Sequence, residues 1–360
     1  MTTTQTGRVI PVLDISQLRA GPGPRAALLD ELRAAAHDIG FFAVVGHGIP
    51  DDAAEGVLSA AREFFALPLP DRLAIENVNS PQFRGYTRVG AEVTAGVADQ
   101  RDQLDIGPER EALALGPGDP PYLRLIGPNQ WPTAVAALRP AVLRWLAEAD
   151  RAAREVLRAL AAALGQSEEY FDTWFDSEAS VSLKVVRYPG GGGGPSAGPR
   201  QGVGAHKDYG YLAFVLQDEV GGLQVEVEPG RWLDVPPVPG ALVCNIGEML
   251  EVATRGYLRA TVHRVVSPPS DVDRYSVPFF LGPRLDAVVE PIPLPPELAD
   301  RARGVSDDPD NPLLAAYGEK ALIGWLRSHP RVARRWWSDV LATRPDLPQP
   351  PQGADGNGDR

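Results

Sequence analysis

Five histidines occur among 360 residues, and one of them lies in the segment GAHKDYGYLAF, residues 204–214, where a single lysine separates His206 from Asp208. In an extended chain residues i and i+2 face the same side, so this imidazole and carboxylate aim at one point while Lys207 turns away. That is half a metal site. A third ligand must come from another segment, and His263 in RATVHRVVSP sits on a second short strand. Two imidazoles and one carboxylate leave coordination positions open, a set that suits Fe(II) in oxygen-activating enzymes. A zinc hydrolase that activates water could use the same three ligands, so the triad alone does not name the reaction. Downstream, Arg274 and Ser276 repeat the i, i+2 relation in DRYSVPFF. A guanidinium beside a hydroxyl on one strand face makes a clamp for a carboxylate. An arginine placed in an apolar strand also needs an anion to offset its burial, and that anion can be a ligand.

The elements that must position these groups fall into two halves. RVIPVLDIS reads as a strand, PRAALLDELRAAAHDIG as a helix stopped at Gly40, FFAVVGHGI as a buried strand and DDAAEGVLSAAREFFALP as a second helix. NSPQFRGYTRVG is loop. Trp131 to Gly165 reads as one long Ala/Leu-rich helix disturbed near Pro140. After about residue 180 come short β-branched runs separated by glycine and proline, among them SLKVVRYP, LAFVLQ, GLQVEV, ALVCNIG and HRVVSP. Such a series predicts a jelly-roll barrel or double sheet. The expected fold class is α+β with a mainly β core, a double-stranded β-helix carrying a helical N-terminal region and supporting helices. Its expected divisions are an N-terminal region over 1–130, helical support over 131–180, the β-core over 181–290, a C-terminal helical segment over 291–346 and a disordered tail over 347–360. The glycine-rich stretch 189–202 reads as a flexible surface loop, with no P-loop lysine pattern.

Composition narrows the class. Hydrophobic residues are 44% and charged residues 23% of the chain, an ordinary globular balance with no apolar run long enough for a membrane span. A net charge of −12 and the lack of a Lys/Arg stripe argue against nucleic acid as a partner and for a small-molecule substrate. The single cysteine, Cys244, allows no internal disulfide, and the N-terminus has no apolar segment of the secretory kind, so a reducing cytoplasm is expected. The oligomeric state stays open, a monomer included.

With these residues in place, the chain resembles the iron(II) and 2-oxoglutarate-dependent oxygenases of the isopenicillin N synthase-like group. The resemblance runs through IPVLDIS, IGFFAVVGHGIP, REFFALP, RGYTRVG and IGPNQWP, and is closer in LKVVRYP, GVGAHKDYGYLAFVLQD, NIGEMLE, HRV and DRYSVPFF. Taken singly, H-x-D is a weak signal; in this order, H-x-D, NIGEMLE, H-R-V and R-x-S form a strong one. The resemblance implies a double-stranded β-helix in which His206, Asp208 and His263 bind iron. It implies that Arg274 and Ser276 hold the far carboxylate of 2-oxoglutarate and that Tyr188 hydrogen-bonds the same cosubstrate. Many plant members have asparagine two residues before that tyrosine, where this chain has Val186. The implied chemistry is O2-dependent oxidation of a small molecule's C–H bond, most simply hydroxylation, with release of succinate and CO2, in specialised metabolism. Family members bring the segment after RGY near the active site, so Arg84, Arg101 and Gln103 are candidate contacts to a polar or acidic substrate. Two alternatives remain at this point: an oxidase of the isopenicillin N synthase type that does not use 2-oxoglutarate, and a non-catalytic small-ligand-binding protein. His47 reads as structural, while His37 and His329 read as solvated or capping residues.

Overall fold

The computed structural model describes residues 9–190, 201–268, 271–305, 313–344 and 347. The strands in chain order are β1 (Val12–Asp14), β2 (Phe41–Val45), β3 (Gly85–Thr87), β4 (Val93–Thr94), β5 (Val97–Ala98), β6 (Asp102–Ile106) and β7 (Ser182–Tyr188). They continue with β8 (Gln201–His206), β9 (Leu212–Gln217), β10 (Leu223–Glu228), β11 (Arg231–Asp234), β12 (Leu242–Ile246), β13 (His263–Val266) and β14 (Arg274–Leu281). One sheet has eight strands in the order β1-β2-β12-β9-β14-β7-β6-β3, a second has four in the order β11-β10-β13-β8, and β4 pairs only with β5. Apart from the parallel β1/β2 pair, the ladders are antiparallel. This is the expected jelly roll, with the N-terminal strands completing the larger sheet.

The register of that sheet sorts its side chains. Gln103 lies opposite Val186, Val186 opposite Ser276, and Ser276 opposite Gln217; the neighbouring row pairs Tyr188 with Arg274. Because strand side chains alternate, these residues share one face, and their sequence neighbours share the other. On the outer face Leu104, Ile106, Leu183, Val185, Val277 and Phe279 are buried in a large apolar core with helix Leu138–Ala163. On the inner face Val186 and Tyr188 join Val203, Val225 and Val265 of the smaller sheet in a second, smaller core. The inner face is therefore apolar where the two sheets meet and polar beside that contact.

Two local expectations change. NSPQFRGYTRVG, expected as loop, contains β3, which pairing with β6 draws into the larger sheet. The helix expected from Trp131 starts at Leu138, with Pro140 in its first turn, where a missing N–H costs nothing, so the proline begins the helix rather than disturbing it. The glycine-rich stretch lies for the most part, and the tail almost entirely, outside the described residues. Among the described residues no helix is long and apolar enough to cross a membrane.

Candidate active site

His206 ends β8 and His263 begins β13, and the two are direct partners across the antiparallel ladder. Their ring centroids are 4.3 Å apart. Asp208 lies just past the end of β8, so the i, i+2 relation holds without a continuous strand. Its carbonyl accepts the Glu248 N–H at 2.8 Å, tying this turn to the start of helix Glu248–Ala253. Gly247 permits that approach, since a Cβ there would stand 2.2 Å from the Gly210 carbonyl oxygen. The NIGEMLE segment thus shapes the turn that carries the carboxylate.

The donor atoms of His206, Asp208 and His263 all lie within 4.8 Å of one another. Each Nδ1 faces a backbone carbonyl, Gly204 for His206 at 2.8 Å and Thr261 for His263 at 3.2 Å. A ring nitrogen that donates to a carbonyl leaves the other as the lone pair, so both Nε2 atoms are the ones free to ligate a metal. They stand 3.6 and 3.8 Å from the two Asp208 oxygens. Burial alone would raise the Asp208 pKa, but the two imidazoles and the Asn245 amide, which donates to Oδ2 at 2.8 Å, hold the carboxyl well below its usual range. Burial, with His206 beside it, pulls His263 down to about 4 and keeps it neutral. Burial also disfavours charged His206, but its hydrogen bond to Asp208 outweighs that and raises its pKa. An ionised Asp208 and a neutral His263 are already in the forms a divalent metal needs, and a metal would displace the proton that Asp208 favours on His206; the donor set fits Fe(II).

Arg274 is 1% exposed. Its Nη2 donates to Gln217 Oε1 at 2.8 Å, Nη1 to Ser276 Oγ at 3.4 Å and Nε to the Val220 carbonyl at 3.2 Å. The guanidinium carbon lies 4.9 Å from the Tyr188 ring centroid. All these partners are neutral, and among the described residues no carboxylate pairs with Arg274. Val186, opposite Ser276, is fully buried in the smaller core and offers no polar contact.

All three candidate substrate contacts are buried. Arg101 donates to Glu92 at 2.9 Å and Asp99 at 3.3 Å, and its charge reaches His206, disfavouring protonation there. Gln103 donates through Nε2 to both Asp105 oxygens, while its Oε1 has no partner. Lys184 bridges Asp105 at 2.6 Å and Glu92 at 3.3 Å, and His329 Nε2 is 3.6 Å from Asp105. Arg84 lies farther along, its Nε and Nη1 without hydrogen-bond partners.

His329 does occupy a capping position, between helices Tyr317–Ser328 and Pro330–Trp336, but it is not solvated: it is 2% exposed, packed against Phe83 and Trp325 at the edge of this ion network. His37 is also buried, stacked on Tyr257 with Nδ1 2.6 Å from the Tyr257 carbonyl. His47 is structural as expected, accepting the Ile49 N–H and facing the Gly240 carbonyl. Asn245, Gln217 and the Glu92–Asp105–Lys184 network are not singled out by sequence. For Asn245 the signal lay inside NIGEMLE; for Gln217 it lay in its position opposite Ser276, which only the register reveals.

Residues 10–134 match the family model described as the N-terminal region of non-haem dioxygenases in morphine synthesis, and residues 180–283 match the 2OG-Fe(II) oxygenase superfamily. A 2-oxoglutarate-dependent dioxygenase of Dothideomycetidae sp. (strain 11243) is 34% identical over 348 residues, covering 92% of this chain and 94% of the relative. A homoarginine-6-hydroxylase of Arabidopsis thaliana is 35% identical over 295 residues, covering 79% of this chain and 87% of the relative. A solved 2OG-Fe(II) oxygenase family protein from Caulobacter crescentus superposes with a TM-score of 0.71 at 28% identity, covering 89% of this chain and all of that one.

Proposed function

This chain belongs to the 2OG-Fe(II) oxygenase superfamily, and we propose that His206, Asp208 and His263 hold its iron while Arg274, Ser276 and Tyr188 bind the far end of 2-oxoglutarate. The protein is an iron(II)- and 2-oxoglutarate-dependent dioxygenase, an oxidoreductase acting on a small molecule. The oxidase and non-catalytic alternatives find no support in relatives that are dioxygenases and hydroxylases by name. When bound, iron and the cosubstrate supply O2-dependent decarboxylation of the 2-oxo acid to succinate and CO2 coupled to oxidation of a substrate C–H bond.

The chain's own residues do the positioning. The Gly204 and Thr261 carbonyls keep both Nε2 lone pairs aimed at one point, and Asn245 holds Asp208 so that the carboxylate stays ionised. The observation that carries the reading is Arg274, a buried guanidinium among neutral partners on the same inner face as Tyr188 and Ser276. A dicarboxylate end seated there would receive charge-assisted hydrogen bonds in a water-poor setting. Gln103, on β6 of that face, and Arg101, just before that strand, are proposed to line the substrate chamber, with Arg84 beyond them. They suit a small polar substrate, as do relatives named for hydroxylating homoarginine.

The direct test is anaerobic addition of Fe(II) and 2-oxoglutarate, following the weak visible charge-transfer band of the chelate. Wild type should show a saturable band, and Arg274→Ala should need roughly a hundredfold more cosubstrate, the scale of truncating one side of a buried charge pair. An unchanged titration in the variant would remove Arg274 from the cosubstrate site.

A further inference from the structure

Beside Asp208, on the side away from the clamp, Tyr209 lines a cavity of about 30 Å³ together with Arg84, Arg110, Ser182, Tyr317 and Trp325. Two guanidiniums border this space, and among the described residues no carboxylate does. Arg110 is held by the carbonyls of Ser177, Glu178 and Ala179, with the Glu178 carboxylate 3.8 Å away on the outside. Arg84 is 8% exposed, lacks hydrogen-bond partners at Nε and Nη1, and forms no ion pair among the described residues. It lies flat against Gly107, where any Cβ would meet its guanidinium at 2.3 Å. The chain therefore makes room for this arginine but gives it no carboxylate in contact. Burial lowers Arg84 to about 10; the more distant Asp105 carboxylate opposes that shift and Arg110 adds like-charge repulsion.

A buried, unpaired cation is costly unless an anion completes it. A cavity this small admits one compact group rather than a whole substrate, about the room of two waters. We propose that this cavity is the anchor for a substrate carboxylate, held by Arg84 with Arg110 and the Tyr209 hydroxyl, so that the preferred substrates are small carboxylic acids. The inference rests on the reading of His206, Asp208 and His263 as the metal ligands, because Tyr209 adjoins Asp208 and places the anchor at the edge of that site. Fixing one end of a flexible acid there restricts which of its C–H bonds can reach the metal side, which is how positioning selects the oxidised carbon.

The test titrates the full-length protein, held anaerobic with Fe(II) and saturating 2-oxoglutarate so that the Arg274 clamp is occupied, with acetate and benzoate, using acetamide and benzamide as uncharged controls. It follows tryptophan fluorescence, which Trp325 beside the cavity reports, and the 15N-coupled arginine Nε–H signals. Carboxylates should bind saturably and amides should not. Arg84→Gln should weaken carboxylate binding tenfold or more, about the worth of a charge-assisted hydrogen bond. Arg110→Gln should weaken it less. Equal binding of acids and amides, no saturable binding, or an unchanged affinity in Arg84→Gln would each overturn the anchor. The iron and 2-oxoglutarate band recorded on the same samples reports the metal and cosubstrate reading separately, so a failed anchor with an intact band leaves that reading standing. Should Arg84→Gln not fold, Arg84→Lys and Arg110→Gln read the same outcome.

Discussion

Two regions of the inner face treat buried positive charge in opposite ways. Around Glu92, Asp99 and Asp105, the cations Arg101 and Lys184 are answered by carboxylates of the same chain at 2.6–3.3 Å. At Arg274 and Arg84 the guanidiniums are at least as buried, yet their protein partners are neutral or absent. The first region is complete without a ligand and ties strands β6 and β7 to the C-terminal helices through His329. The second is complete only when something anionic arrives. A buried ion pair is therefore weak evidence for a binding site, whereas a buried cation without its anion is strong evidence for one.

That contrast can be broken most forcefully at Asp105. Asp105→Asn keeps the shape but leaves Lys184 short of a charge in a buried site, and should lower unfolding stability by about 3 kcal/mol, read from urea or thermal denaturation. A loss near zero would mean that the network is not closed as described. The same carboxylate gives a pH signature: burial pushes Asp105 up, but Lys184 and His329 outweigh this and hold it below the usual carboxylate range. A depressed folded pKa contributes stability that is fully present above the ordinary carboxylate pKa and is lost as pH falls toward the folded value. Wild type should therefore lose stability below about pH 4 more steeply than Asp105→Asn.

A smaller effect is expected at Asn245, which supports a ligand-facing group rather than a closed pair. Asn245→Ala should weaken iron binding by about tenfold, the usual scale for removing a group that orients a metal ligand, while leaving the denaturation midpoint nearly unchanged. Competition with a chelator measures the first quantity. The smallest effect sharpens the comparison. Arg84→Met removes an unanswered buried charge and should leave stability unchanged or raise it by about 1 kcal/mol, unlike Asp105→Asn. A large destabilisation would show that Arg84 has a structural role in the folded chain.

How much of this was legible differs by group. His206, Asp208, Arg274 and Ser276 could be found because each pair repeats at i, i+2, a spacing that puts two side chains on one side of an extended backbone. Strand alternation and turn residues likewise announced the β-rich second half. The capping position of His329 was legible from RSHP at a helix end, but its burial was not, because only packing of the C-terminal helices against Phe83 and Trp325 buries it. Pro140 was misjudged because the helix boundary lies at Leu138, within the Ala/Leu-rich run rather than at its start.

Local spacing and residue chemistry by themselves pointed to the fold class and to the pairs His206 with Asp208 and Arg274 with Ser276, because strand alternation and an i, i+2 relation depend on a few residues along the chain; His263 meets the first pair only across the ladder. Only the tertiary structure decided which charges are answered within the chain and which are left for a ligand. That distinction depends on cross-strand register and on helices arriving from far along the chain: Gln217 opposite Ser276, Lys184 opposite Asp105, and Arg84 and Arg110 lining one cavity that no acid borders among the described residues.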